Sequence, residues 1–320
     1  MQRGKLLKIK CHERPITTLK FNTDGDLLFT ASKDSRATVI RPDGTPLGSY
    51  AGHEGSIFTL SVSPDSQHLY TGSADQTIID WDLETGIALT HIDTGSVVKA
   101  CDSYSEHLLV AVSDDSMGMK REIFLYDNRT KEVQRIFSPS FNATGIFADY
   151  SSSTFMLSDV EGSVHKFDSR SSTLVASSKL HTDKISEIQP SACRTFFLTS
   201  SIDAQAKIVD CEDLTPKRIF VCEEPVNSSA IFPTNDKVVC VGGVDARDVT
   251  TTKGKSTVDT SFFDIVTSER VGYFSTHYGT INTVDIHPLC TMYCSAGEEG
   301  IVNIVTFGED FYASKFTKIN

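Results

Sequence analysis

Two stretches of this chain, His12 to Ile40 and His53 to Trp81, are copies of one pattern set 41 residues apart. The better-marked copy opens on Gly52-His53 and continues with the apolar run Ile57-Phe58-Thr59-Leu60-Ser61-Val62 and the turn Ser63-Pro64-Asp65-Ser66. Leu69-Tyr70-Thr71-Gly72-Ser73-Ala74-Asp75, Thr77-Ile78-Ile79-Asp80-Trp81-Asp82 and Glu84-Thr85-Gly86 complete it. Short apolar or alternating runs between clusters of Pro, Asp, Ser and Gly read as a meander of short strands. Repetition at a fixed spacing adds unit after unit to one continuous structure, so 320 residues need not mean two domains.

Gly-His at the start and Trp-Asp at the end resemble one blade of a WD40 β-propeller. The resemblance implies a buried hydrogen-bonded set in which His53, Thr71 or Ser73, Asp75 and Trp81 take part. A buried carboxylate needs its oxygens satisfied, and an indole needs one acceptor. The His–Ser/Thr–Asp grouping is therefore expected to hold a blade together, with no catalytic triad and no catalytic residue.

Seven such units can be followed. The expected fold is all-β, a seven-bladed WD40 propeller over residues 1–307, with blades near 11–50, 51–92, 95–137, 141–178, 179–221, 224–274 and 275–307. Residues 5–10 form a strand expected to pair with the last blade and close the ring, and 308–320 form a tail. Blade three lacks Gly-His and carries Tyr126-Asp127 where Trp-Asp would stand, with an insert around 114–120. Blade four ends on Phe167-Asp168, and blade six is stretched by a polar loop around 245–260.

Thirty Lys and Arg oppose 42 Asp and Glu, a net charge of −12. That balance lacks the electrostatic footprint of a dedicated nucleic-acid binder and suits basic protein segments. The eight cysteines include several inside apolar runs, such as Val238-Val239-Cys240-Val241, where thiols behave as small buried hydrophobes. No apolar run reaches membrane-spanning length, and Met1 to Lys10 has no signal-peptide character. Reduced thiols, chance glycosylation sequons and a cytoplasmic location are the expectation. Metal-protease, phosphate-loop and nucleophile-elbow motifs are absent. His287, Cys290 and Cys294 lack a fourth ligand for zinc, and Asn22–Asp26 reads as a turn and not a calcium loop. Neither a metal nor a cofactor is expected.

Cys11-His12-Glu13-Arg14-Pro15-Ile16-Thr17 with Gly25-Asp26-Leu27-Leu28-Phe29-Thr30 resembles the opening of the translation initiation factor 3 subunit I family, which has Gly where Cys11 stands. Gly242-Gly243 leading to Asp248-Val249-Thr250-Thr251-Thr252, His277-Tyr278-Gly279-Thr280-Ile281-Asn282, Gly297-Glu298-Glu299-Gly300 and Phe311-Tyr312 continue the likeness. It is weak in blades three and four, and Val39-Ile40 replaces an expected Trp. The resemblance implies a non-catalytic scaffold that holds a C-terminal segment of the b subunit and an N-terminal segment of the g subunit. Through them it would support preinitiation-complex assembly, mRNA recruitment and scanning on the small ribosomal subunit. No membrane, small-molecule substrate or direct nucleic-acid contact is expected. The alternatives are a WD40 adaptor for signalling or ubiquitin-ligase complexes, which would need an arginine cluster on one face, and a propeller enzyme, which would need catalytic groups around the channel.

The candidate partner surface is acidic and lies near blades five and six. Asp210, Glu212, Asp213, Glu223 and Glu224 are expected at strand ends and loops, with Val226 or Ile219 as an apolar anchor for a basic helix or extended peptide.

Overall fold

In blade two, Ile57–Val62, His68–Ser73 and Thr77–Asp82 form three strands, and a fourth, Ala88–Asp93, follows the Glu84-Thr85-Gly86 turn. They pair in sequence order as one antiparallel sheet. The computed structural model describes residues 5–114, 118, 120–151, 153–243 and 258–308. Among these, seven such four-stranded sheets account for all strands. The first strands contact one another in a closed ring, each meeting the next and Ile281–Ile286 meeting Ile16–Phe21. This is a seven-bladed β-propeller. The expected loop around Asp248 to Thr252 and the tail aromatics Phe311 and Tyr312 lie outside the described residues.

The ring closes through its beginning. Leu6–Lys10 is the outermost strand of blade seven, antiparallel to Ile301–Thr306, with Leu6 opposite Val305 and Lys10 opposite Ile301. Leu7 and Ile9 pack on the core formed by Ile16, Leu19, Val302 and Ile304.

Burial follows strand order. Second strands are almost wholly buried, for example Phe196–Ser201 and Met292–Gly297, whereas outer strands such as Pro216–Val221 are largely exposed. Each first strand carries a bulge near its start, as between Ile57 and Thr59, which adds twist where seven strands converge. Outer strands of blades one to six are bulged too, and a bulged edge resists pairing with another chain.

First strands have no ladder partner on the channel side, so side chains of the preceding blade satisfy their amides. Thr283 and Asp285 accept from Leu19 and Phe21, Thr59 and Ser61 from Cys101 and Ser103, Asp102 from Ala148, and Ser228 from Val284. These bonds stitch blade to blade, because a buried amide left unpaired is costly.

Strand direction sorts the loops. Connections from first to second and from third to fourth strand emerge on one face, termed face A. Connections from second to third strand and between blades emerge on the other, face B.

Candidate interaction surface

On face B the blade histidines fold inward. His53 Nδ1 lies 2.8 Å from Asp75 Oδ2 and Nε2 lies 2.7 Å from Thr71 Oγ1, which also accepts from Trp81 Nε1 at 2.8 Å. Ser73 plays a different part, since its hydroxyl accepts the Asp75 amide and shapes the turn. Burial lowers the His53 pKa below 6.5 despite the adjoining Asp75. Burial alone would lift the Asp75 carboxyl, but hydrogen bonds from Thr77 and His53 outweigh it and hold the group below the ordinary range. The imidazole is therefore a neutral, enclosed strut.

The same geometry recurs as His12–Asp34 with Thr30, and as His181–Asp203 with Thr199. In blade seven Glu299 replaces the Asp, 3.3 Å from His277, and Ser295 is the hydroxyl. Blade four moves its histidine to the third strand, where His165 sits between Asp159 and Ser177 at 2.9 Å each. Nothing in the sequence pattern marks either departure.

A channel of about 350 Å³ runs between the first strands and is spanned by side-chain ion pairs. Arg194 of blade five holds Asp102 of blade three with two nitrogens, at 2.6 and 3.1 Å, and donates to Ala148 O of blade four at 2.7 Å. Lys20 of blade one lies 3.6 Å from Glu187 of blade five. Burial raises the carboxyls of Glu187 and Asp285, while Glu187, Asp285 and Asp102 together raise the Lys20 ammonium against its own burial.

The acidic residues expected to form one patch form two. Asp210, Glu212 and Asp213 sit in the face-A turn that leads into the outer strand Pro216–Val221 of blade five. Glu223 and Glu224 follow that strand, on face B. Six extended residues separate the groups by roughly 20 Å. The turn is tightly tied: Asp210 accepts the Glu212 amide at 2.7 Å, and Asp213 accepts from Thr215. Lys217 stands 2.9 Å from Asp213 and 3.8 Å from Asp210. Hydrogen bonds from Thr215 and Lys217 hold the Asp213 carboxyl well below the ordinary range. At the other end Arg270 pairs with Glu223 at 3.1 Å and with Asp259 at 3.5 Å, its guanidinium 4.8 Å from the Tyr273 ring centre.

Val226 corrects the expected anchor. It is 0% exposed, the first residue of a first strand, packed with Leu198, Cys240 and Phe263. The alternative, Ile219, is 44% exposed, and Val221 beside it is 66% exposed. Phe220 between them points into the core. Strand alternation thus places Ile219 and Val221 together on the open side of blade five, between the two acidic ends. Arg270 and Lys217, which partly neutralise those ends, carry no sequence signal: Arg270 is brought to Glu223 only by the sheet of blade six.

Among the described residues no group of three or more His, Cys, Asp or Glu is placed to hold a metal ion. Nor, among the described residues, is any helix long and apolar enough to cross a membrane.

The sequence profile of the EIF3I family matches residues 5–317. The chain is 34% identical to eukaryotic translation initiation factor 3 subunit I of Taeniopygia guttata, covering 98% of this chain and 99% of that protein. It is 35% identical to the subunit of the same name from Drosophila melanogaster, over 97% of this chain and 99% of the relative. For Nematostella vectensis the identity is 34%, over 96% and 98%. Among solved structures, the Cps50 (Swd1) β-propeller domain of Myceliophteria thermophila superposes with a TM-score of 0.80, covering 95% of this chain and all of that one. Its 16% identity speaks to the fold alone.

Proposed function

This chain belongs to the eukaryotic translation initiation factor 3 subunit I family, and on that premise we propose that it is a non-catalytic scaffold within the factor, holding segments of the b and g subunits. Membership of the factor follows from the relatives; the scaffold role and its partners are our reading. The single observation that supports it best is the rim of blade five, where exposed Ile219 and Val221 lie between an acidic turn on face A and Glu223–Glu224 on face B.

A segment with apolar residues at its centre and basic residues at both ends matches that order. A helix of about 14 residues covers the distance. Apolar contact at the centre supplies the attraction, and the acidic ends set orientation and speed of encounter. We assign this rim to the segment of the b subunit. Through that attachment the propeller supports preinitiation-complex assembly, mRNA recruitment and scanning in the cytoplasm.

The enclosed histidine sets favour a scaffold over an enzyme. The imidazoles of His12, His53, His181 and His277 are each spent on an Asp or Glu and on a buried hydroxyl, with no ring nitrogen left facing a substrate. The test is capture, by the purified chain, of the C-terminal segment of the b subunit. Glu223→Lys with Glu224→Lys, and separately Ile219→Asp, should each weaken capture at least tenfold while thermal unfolding stays near the parent value. Undiminished capture by both variants removes the rim from consideration. Failure to recover any factor 3 subunit or small ribosomal subunit from extract would shift the weight to an adaptor in another complex.

A further inference from the structure

Blade six replaces the histidine set with two thiols. In blades one, two, five and seven the histidine stands four residues before the first strand: His12 before Ile16, His53 before Ile57, His181 before Ile185, His277 before Ile281. Four residues before Val226, the start of the first strand of blade six, is Cys222. The backbone agrees, since the Cys222 amide donates to Ala204 O as the His181 amide donates to Gly162 O.

The hydroxyl partner is replaced as well. Thr71 pairs in register with Leu60, Thr199 with Ile188, and Ser295 with Val284. The corresponding pair in blade six is Cys240 with Ser229. The imidazole–hydroxyl pair has thus become a pair of thiols, with Cys222 packed against the core cluster that holds Cys240 and both residues lining one cavity.

A cysteine side chain is much shorter than a histidine, and the space left over is visible. A cavity of about 40 Å³ is lined by Cys222, Cys240, Gly242, Ser261 and Arg270. It has room for a water-sized reagent. Cys240 is 2% exposed, whereas Cys222 is half-buried.

We propose that Cys222 and Cys240 are a peroxide-sensitive dithiol that closes to a disulfide joining the blade-five-to-six connection to the second strand of blade six. Cys222, the more accessible sulfur, attacks a peroxide oxygen; the O–O bond breaks, and Cys222 becomes a sulfenic acid as water leaves. The Cys240 sulfur then attacks the Cys222 sulfur, the S–O bond breaks, and the hydroxyl departs as water with the Cys240 proton. Two thiols lose two electrons and one hydrogen peroxide becomes two waters. Burial and the Cys222 neighbour raise Cys240 well above the ordinary thiol range, so Cys240 waits as a thiol until its partner is oxidised. The bridge would fasten the segment carrying Glu223 and Glu224, where the reduced blade lacks the strut its neighbours have. This inference stands whether or not that segment meets the b subunit.

The experiment treats the full reduced chain with hydrogen peroxide, blocks the remaining thiols in denaturant, and maps the peptides. A disulfide-linked pair containing Cys222 and Cys240 is expected, appearing in Cys193→Ser, whose altered residue is the exposed cysteine, and absent from Cys222→Ser. The double variant Cys222→His/Cys240→Thr, which restores the pair used in blade two, should fold and lose the cross-link. Recovery of both residues as alkylated thiols overturns the proposal. So does a Cys222 trapped as a sulfinic acid, or joined to Cys193 or to another molecule, while Cys240 stays free.

Discussion

Arg194 and Asp102 belong to blades five and three, yet their guanidinium and carboxylate meet in a two-nitrogen, two-oxygen pair with the shortest arm at 2.6 Å. Blade four is caught between them, because Arg194 also donates to Ala148 O and Asp102 accepts from Ala148 N. One ion pair thus fastens three consecutive blades. Arg194→Ala leaves a largely enclosed carboxylate without its counter-charge and should cost about 3 kcal/mol. Asp102→Ala should cost a similar amount, and the double variant clearly less than the sum. Urea unfolding of the four proteins in the cycle measures this; strict additivity would show that the pair does not couple the blades.

Thr71 serves two partners, His53 and Trp81. Thr71→Val keeps the shape and orphans both, so a loss of about 2–3 kcal/mol is expected. The chain has one tryptophan, which makes the fluorescence of Trp81 a report on blade two alone. The emission of the variant should begin to shift at lower urea than its circular dichroism. Coincident transitions would mean that the strut stabilises the ring as a whole.

Stability should fall on mild acidification. Burial lowers the pKa of His12, His53, His181 and His277 below the 6.5 of an exposed imidazole. Below that pH the unfolded chain binds protons that the folded chain refuses, so stability is complete above about 6.5 and declines beneath it. Glu187 and Asp285 act in the opposite sense: with raised pKa values they take up protons first in the folded state and gain stability as the pH falls through them. Glu187→Gln removes one of these compensating groups and should steepen the acid decline. Calorimetric melting temperatures between about pH 7.5 and 5 check the slope; a flat profile would contradict the histidine assignment.

Removing residues 1–10 strips the outer strand from blade seven and uncovers one edge of Ile301–Thr306. The truncated chain should be cut rapidly in blade seven by a nonspecific protease and should self-associate on gel filtration. Resistance equal to that of the full chain would mean the ring closes without this strand.

The three inner strands of each blade were readable because their apolar periodicity is imposed by burial, as in His68–Ser73, where five of six residues are buried. Outer strands carry little of that signal. Thr173–Lys179 is exposed at most positions, and Pro216–Val221 buries Phe220 alone. Missing a fourth strand reverses the chain an odd number of times, and for that reason Asp210–Asp213 and Glu223–Glu224 read as neighbours when they occupy opposite faces. Val226 reads as an apolar anchor open to a partner, and only the bulged first strand reveals it as a fully buried position of blade six. Blade histidines were legible from Gly-His and His alone, but Glu299 for Asp, His165 on a third strand and Cys222 for His are substitutions of kind. Only the register of the strands identifies them.

Lys8 lies opposite Asn303 in the strand pair that closes the ring. A chain emerging from a ribosome presents Lys8 295 residues before Asn303. Six blades can form during synthesis, each from contiguous sequence, but the seventh has to wait, the apolar side of Leu6–Lys10 uncovered, until Ile301–Thr306 has been made. The slowest contact to find is therefore also the last one the ring can make. A circular permutant that begins at Cys11 and carries the closing strand after Phe307 would make every blade local, and it should refold faster while keeping the same ring.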